Sequence, residues 1–162
     1  MRAFAQSRAD GAQLVFAGAA TEPEYEHIIR QEVAQLGLVE RVKFRGLLDE
    51  ASMLDEFSRA EALVLPSYQE TAPMVIQQAM AAGLAVIATR ICGVPYQIEH
   101  DVTGLLYSAG AVAELAALLE RLGTDQALGK RLGDAARMTA IERYHAAKVA
   151  DATLDTYKSI LQ

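Results

Sequence analysis

Short apolar runs alternate along this chain with longer stretches in which apolar residues recur at helical spacing. The short runs fall at residues 13–17, 42–46, 62–66, 84–89 and 104–107. Each is a few residues long and bounded by Gly, Pro or polar residues, which predicts a strand. Residues 62–66 (Ala-Leu-Val-Leu-Pro) and 84–89 (Leu-Ala-Val-Ile-Ala-Thr) are continuous apolar runs up to their last residue, as strands buried on both faces should be. Residues 13–17 predict a further short buried strand, ended by Gly18. Val42, Lys43, Phe44 and Arg45 alternate apolar and basic, which suits a strand nearer the sheet edge.

Helical patterns fill the intervals. Residues 1–9 look like the tail of a helix carrying Ala3 and Phe4. Thr21 opens a helix with Glu22 and Glu24 in its first turn, Ile28, Ile29 and Val33 on its apolar face, and Gly37 as its C-cap. Asp49 or Ser52 caps a helix over 53–60. Pro73 begins another, on which Val75, Ala79 and Ala82 recur. Residues 98–100 read as one helical turn. Helices are expected again over 111–122, 127–141 and 146–161.

Short strands separated by helices predict an α/β fold: a Rossmann-like domain with one parallel sheet of about five strands, right-handed crossovers and C-terminal helices. The 162 residues suit a single domain, 1–162, without internal repeats or linkers. Ligands of such sheets bind at the carboxyl ends of the strands, near a topological switch point. Gly46, residues 67–70 and residues 90–95 lie at those ends.

Composition narrows the function. The chain is 52% hydrophobic and 22% charged, lacks Trp, and has a formal net charge of −6. That charge argues against a surface that neutralises many nucleic-acid phosphates. The lone Cys92 cannot form an internal disulfide and fits a reducing compartment. There is no Cys/His cluster at metal-ligand spacing, so no structural zinc is expected. The first ten residues lack the apolar core of a signal peptide. The longest apolar run, 79–88, falls well short of the roughly 20 residues that span a bilayer. A cytoplasmic protein with at most peripheral membrane contact is expected. Gly18-Ala19-Ala20 lacks the further glycines of a dinucleotide-binding turn.

The most informative stretch runs from Ser67 to Met80: strand end, tight polar loop, helix start. Backbone N–H groups at such a helix N-terminus point outward unpaired and favour an anion. Glu70 stands at the mouth of this seat. Gln78 lies eight positions on, roughly two helical turns, so that both side chains can face one cleft. Each candidate also has a plain structural reading. Glu70 can be a solvated loop acid, Gln78 an exposed helix residue, Ser67 a turn residue and Arg90 a surface cation. His27, His100 and His145 have no partner acid in a recognisable arrangement and read as structural. Cys92 reads as a small loop residue, and Glu22, Glu24 and Glu26 as a solvated helix face.

Taken in order, Ser67-Tyr68-Gln69-Glu70, Pro73, Gln78-Ala79-Met80-Ala81-Ala82-Gly83, Val86-Ile87-Ala88-Thr89, Gly93-Val94-Pro95 and Thr103-Gly104-Leu105-Leu106 span about forty residues. With this spacing the chain resembles the C-terminal, nucleotide-sugar-binding half of a group 1 (family 4) retaining glycosyltransferase of the GT-B fold. The resemblance implies a three-layer domain and transfer of a hexosyl group from a nucleotide-diphosphate sugar to a hydroxyl acceptor. It gives Glu70 the contact with the donor sugar and Gln78 the ribose. Gly46, Leu47, Ser67, Thr71, Ala72, Pro73, Met74 and Val75 complete the implied donor site. The family needs no metal or other cofactor, and no Asp-x-Asp pair is present.

Three positions depart from the family pattern. Gln78 stands where a second Glu is usual, Thr71-Ala72 where a glycine-containing loop is usual, and Tyr96 where an acid is common. Family members begin this half with a strand and a Gly-Arg-x-x-x-x-Lys-Gly loop that grips the diphosphate; by the resemblance, this chain starts in the helix that follows. An N-terminal acceptor domain is the implied partner. A sheet without its first strand exposes an apolar edge, so self-association is also expected. Two other readings stay open: a noncatalytic binding or assembly module that keeps the fold, and half of a sugar-nucleotide epimerase.

Overall fold

The computed structural model describes residues 1–9, 11–20 and 22–161. Its elements run α1 (Arg2–Gln6), β1 (Leu14–Phe16), α2 (Pro23–Gln35), a 3₁₀ turn (Val39–Arg41), β2 (Val42–Phe44), α3 (Glu50–Arg59), β3 (Ala62–Leu65), α4 (Met74–Ala82), β4 (Ala85–Thr89), α5 (Val94–Gln97), β5 (Leu105–Tyr107), α6 (Val112–Thr124), α7 (Gln126–Arg143) and α8 (Ala146–Ile160). They form two compact units, Met1–Ala60 with Gly110–Gln126 and Glu61–Ala109 with Ala127–Gln162. The expected α/β alternation and five parallel strands are present. The strands form two ladders rather than one sheet, β1-β2 in the first unit and β3-β4-β5 in the second.

In the first unit, Leu14 pairs with Val42 and Phe16 with Phe44. Phe4, Val33, Leu38 and Val42 form one buried cluster in its core, with Leu14, Phe44 and Leu119 packed against them. The chain reaches this core by the turn that ends α2. Gly37, at φ +68°, takes the left-handed conformation, and the N–H groups of Gly37 and Leu38 bond the carbonyls of Ala34 and Val33 at 3.0 and 2.9 Å. The turn brings Leu38 back onto Val33, as a glycine C-cap does. Arg41 donates to the Ala9 and Ala12 carbonyls at 2.6 and 3.1 Å, and its guanidinium lies 4.6 Å from the Phe4 ring centroid. Of the two expected caps it is Asp49 that starts α3, three residues earlier than expected, its carboxylate accepting the Ser52 N–H at 2.8 Å. Hydrogen bonding with the Ser52 side chain first, and with its backbone N–H second, holds the carboxyl below its ordinary pKa.

Several expectations fail here, and the cause is coverage. In β1, Val15 and Phe16 are 38% and 36% exposed, although the run is apolar throughout. An apolar run specifies a strand but not what lies over it. Ile28, assigned to the apolar face of α2, is exposed, because only the C-terminal part of that helix, around Val33, reaches the core. The expected helix start at Thr21 lies outside the described residues; α2 itself begins at Pro23, with Glu24 and Glu26 in its first turn.

The second unit is more deeply packed. Ala62 to Leu65 pair with Ala85 to Ala88, and Ile87 to Thr89 with Leu105 to Tyr107, all parallel. Every residue of β4 and β5 is buried. The residues of β3 are only half-buried, so the expectation of a strand covered on both faces is met by β4 and not by β3. On α4 the buried residues are Ile76, Ala79 and Met80; Val75 is half-buried and Ala82 exposed, which turns the expected stripe by part of a turn. Gly83 ends α4 at φ +81°, its N–H and that of Leu84 bonding the Met80 and Ala79 carbonyls at 2.9 and 3.0 Å.

Helix α7 crosses this turn closely enough that a Cβ on Gly133 would stand 2.1 Å from the Gly83 carbonyl oxygen. Leu128, Leu132, Ala136 and Ala140 are its buried residues beside Gly133. The helical turn expected at 98–100 lies earlier, at Val94–Gln97, where Pro95 supplies the fixed φ of a first turn. Ile98 is extended, and His100 bridges to Gly104. No helix among the described residues is long and apolar enough to cross a membrane.

Candidate functional site

The site is built from the loop that follows β3. Strand β3 ends at Leu65, Pro66 stops the ladder, and the chain turns through residues 67–73 before α4 begins at Met74. Ser67 is half-buried, and its hydroxyl donates to Glu70 Oε1 at 2.8 Å. Among the described residues Ser67 is the one hydrogen-bond partner of the Glu70 carboxylate. That bond fixes one carboxylate oxygen and leaves the other with its acceptor sites open. Glu70 is half-buried, so the group is partly screened from water yet reachable.

A second loop, from 90 to 93, clamps the first from beneath. The Gly93 N–H donates to the Glu70 carbonyl at 3.4 Å, and a Cβ at position 93 would stand 1.5 Å from the Thr71 carbonyl oxygen. Gly93 has an ordinary φ of −83°. What requires glycine there is the approach of the 70–71 backbone and not an unusual conformation. From the end of β4, Thr89 Oγ1 donates to the Ser67 carbonyl at 2.7 Å. The backbone of the loop is thus tied at Ser67 and Glu70, and its carboxylate at Ser67.

Thr71 and Ala72 are exposed, Pro73 is the half-buried N-cap of α4, and Met74 is exposed. The cap carries no side-chain hydrogen bond. The N–H groups of Met74 and Val75, in the first turn of α4, therefore have no intrahelical acceptor and carry the positive end of the helix dipole. Gln78 is exposed one turn further along the same helix. Carboxylate, loop backbone and helix start follow one another in the chain and all belong to the second unit. Gly46, at φ +64°, and the exposed Leu47 follow β2 and belong to the first unit.

The remaining candidates take other roles. Arg90 is exposed, and its backbone N–H bonds the Tyr107 carbonyl at 2.7 Å. His100 Nδ1 accepts the Leu106 N–H at 2.9 Å, His145 caps α8, and His27 bonds Gln31. Each histidine thus has a hydrogen-bond partner. His100, expected to have no partner acid, also has Asp101 Oδ2 at 3.4 Å from its Nε2, because the turn after α5 brings the next residue's carboxylate alongside. Cys92 is exposed, at φ +42°. Among the described residues no group of three or more His, Cys, Asp or Glu side chains is placed to hold a metal ion. The sequence reading missed Thr89 as a participant; the available signal was a hydroxyl closing an otherwise apolar strand. Tyr107, at the end of β5, has its phenol pKa raised by burial first and by the nearby Tyr68 second.

Known proteins resemble this chain in sequence and fold. A D-inositol 3-phosphate glycosyltransferase of Streptomyces bingchenggensis is 34% identical over 141 residues, which is 87% of this chain and 30% of that protein. An alpha-maltose-1-phosphate synthase of Mycobacterium tuberculosis is 32% identical over 161 residues, covering 94% of this chain and 42% of its own length. The chain therefore spans less than half the length of either relative. Among solved structures, Anabaena HepE in complex with UDP-glucose superposes with a TM-score of 0.87 at 26% identity, over 97% of this chain and 43% of that one. The C-terminal domain of the group 1 family protein LpcC from Francisella tularensis, at 18% identity and a TM-score of 0.74, shares the fold over 89% of this chain and 93% of its own. The model of the family described as glycosyl transferases group 1 matches residues 1–139. With that match and the relatives above, the chain belongs to the group 1 glycosyl transferases, whose C-terminal domains have this fold.

Proposed function

We propose that the chain is the donor-binding part of a retaining glycosyltransferase that moves a hexosyl group from a nucleoside diphosphate sugar to a hydroxyl acceptor. The observation that carries this reading is the Glu70 carboxylate, held by Ser67 through one oxygen just ahead of the α4 N-terminus. In this reading the free oxygen of Glu70 accepts from hydroxyls of the donor sugar. The loop backbone at Thr71, Ala72 and Pro73 and the N–H groups of Met74 and Val75 face the diphosphate. As the glycosidic bond breaks, negative charge grows on the leaving diphosphate, and fixed N–H donors stabilise it without reorganising. Gln78 takes the ribose, donating one hydrogen bond and accepting another. Gly46 and Leu47 are assigned to the donor by the family resemblance alone.

The UDP-glucose complex of HepE favours a uridine nucleotide. No metal ion or other cofactor enters the proposal. The acceptor site is assigned to the remainder of a longer protein, in line with the lengths of the relatives, and we place the reaction in the cytoplasm. Calorimetric titration of the chain with UDP, GDP, ADP and UDP-glucose tests the reading. Binding of one diphosphate, strengthened by the attached sugar, is expected; failure of all four to bind would overturn it. Sugar transfer by the 162 residues alone is not expected. Positioning two substrates together supplies about 7–11 kcal/mol in favourable systems. We also expect this chain to associate with itself, which concentration-dependent light scattering would show.

A second reading, a noncatalytic binding or assembly module, is favoured by Gln78, where an amide replaces a charged acceptor. Nucleotide binding without any turnover in the longer protein would decide for it.

A further inference from the structure

We propose that Thr89 is a positioning residue for Glu70, and that through Ser67 it sets how strongly the chain prefers a sugar-bearing nucleoside diphosphate to the bare diphosphate. The inference rests on the donor-binding reading above. Thr89 is the last residue of β4 and only 1% exposed, on a strand whose other members are Ala, Val and Ile. A hydroxyl in such a place is costly unless it is hydrogen-bonded. Its partner is the carbonyl of Ser67, 2.7 Å away and twenty-two residues earlier in the chain. Ser67 in turn donates its own hydroxyl to Glu70 Oε1 at 2.8 Å. Two hydrogen bonds thus link the buried sheet to the carboxylate.

The inner end of this line is rigid, because β4 is paired on both sides, with β3 and with β5. The outer end is a loop, where torsional freedom would otherwise let the carboxylate swing. Fixing Ser67 therefore fixes which oxygen of Glu70 is occupied and where the other one points. A nucleoside diphosphate without a sugar has no group for that oxygen in this reading, so the line acts only on the sugar-dependent part of the affinity. Val in place of Thr89 fills the same space and suits a strand, but leaves the Ser67 carbonyl without its donor.

The test compares wild type with Thr89→Val and Thr89→Ser by titration with UDP and UDP-glucose. In Thr89→Val the ratio of UDP-glucose to UDP affinity should fall about tenfold, the scale of one hydrogen bond to a charged group, while UDP affinity stays within about twofold. Thr89→Ser keeps the hydroxyl and should restore the ratio. If Thr89→Val does not fold, Ser67→Ala removes the outer bond of the same line at a half-buried loop position and has to lower the ratio likewise. An unchanged ratio, an equal loss for both ligands, or a Ser variant no better than Val would overturn the proposal. Wild type that binds neither nucleotide overturns the donor reading, and this inference with it. The ¹³C resonance of the Glu70 carboxyl gives a readout without ligand: it should move in Thr89→Val, and an unmoved resonance overturns the role of Thr89 alone.

Discussion

The two units use the same alternation of parallel strand and helix, yet they bury it to different depths. In the first, β1 leaves Val15 and Phe16 more than a third exposed, and no strand is buried along its whole length. In the second, the five residues of β4 are 0–1% exposed and β5 is buried throughout. The candidate carboxylate is tied to the deeper of the two. A site that must hold one oxygen in place needs an unyielding support, and the second unit has it in a strand paired on both sides. The first unit relies instead on local devices: a glycine cap, an aspartate cap, and arginines laid on aromatic rings, including Arg30 at 4.0 Å from the Phe44 ring centroid.

The contrast is broken most severely by removing a side chain from each ladder. Ile87→Ala, at a fully buried position, should cost about 3 kcal/mol, and Val15→Ala under about 1 kcal/mol. Equal losses in chemical denaturation would mean that the ladders are equally important to stability. Gly93→Ala comes next, at about 1–3 kcal/mol, because its Cβ meets the Thr71 carbonyl and the loop has to move. Unlike Ile87→Ala it should also abolish the sugar-dependent part of donor binding, which titration of the folded variant measures.

A smaller change sharpens the picture within the second unit. Gln78→Glu should tighten nucleoside diphosphate binding by roughly 1 kcal/mol, about fivefold, since a carboxylate can accept from both ribose hydroxyls. Repulsion from the diphosphate and the cost of desolvating the charge oppose this gain. Unchanged or weaker affinity in the variant, or the same loss in both forms with a 2′-deoxy ligand, would place Gln78 away from the ribose.

The smallest effects are in pH, and they should have opposite signs. The folded-state pKa of Asp49, in the first unit, lies below its ordinary value because of the bonds to Ser52. Its contribution is therefore present above the ordinary carboxylate range and is lost as pH falls through the lowered value. The phenol of Tyr107, in the second unit, is raised by burial and by Tyr68. Its contribution is present below the ordinary phenol value near 10 and is lost as pH rises through the raised one. Amide hydrogen exchange at α3 in acid and at β5 in alkali should show the two losses separately. Protection that falls in the same unit at both extremes would contradict the assignment.

Much of this architecture was legible in the residues. All five strands fall within the apolar runs, the Asp49 cap and the Gly37 turn lie where those residue types imply, and the ordered motifs identified the family. Coverage was not legible, because Leu14-Val15-Phe16 and Ala85-Val86-Ile87 look alike as sequences and differ only in what packs over them. Nor did spacing reveal that the strands divide between two ladders. At the site, Glu70 and Ser67 stood out because a polar loop follows an apolar strand. The part played by Thr89 depends on an approach across twenty-two residues, which no local pattern records.

The contact of Gly133 with the Gly83 carbonyl has a mechanical meaning. Two backbones in contact, with no side chain between them, have no compressible layer to absorb movement. A push along α4 toward its C-terminal turn would therefore reach α7 undamped. In this respect the joint is a hard stop.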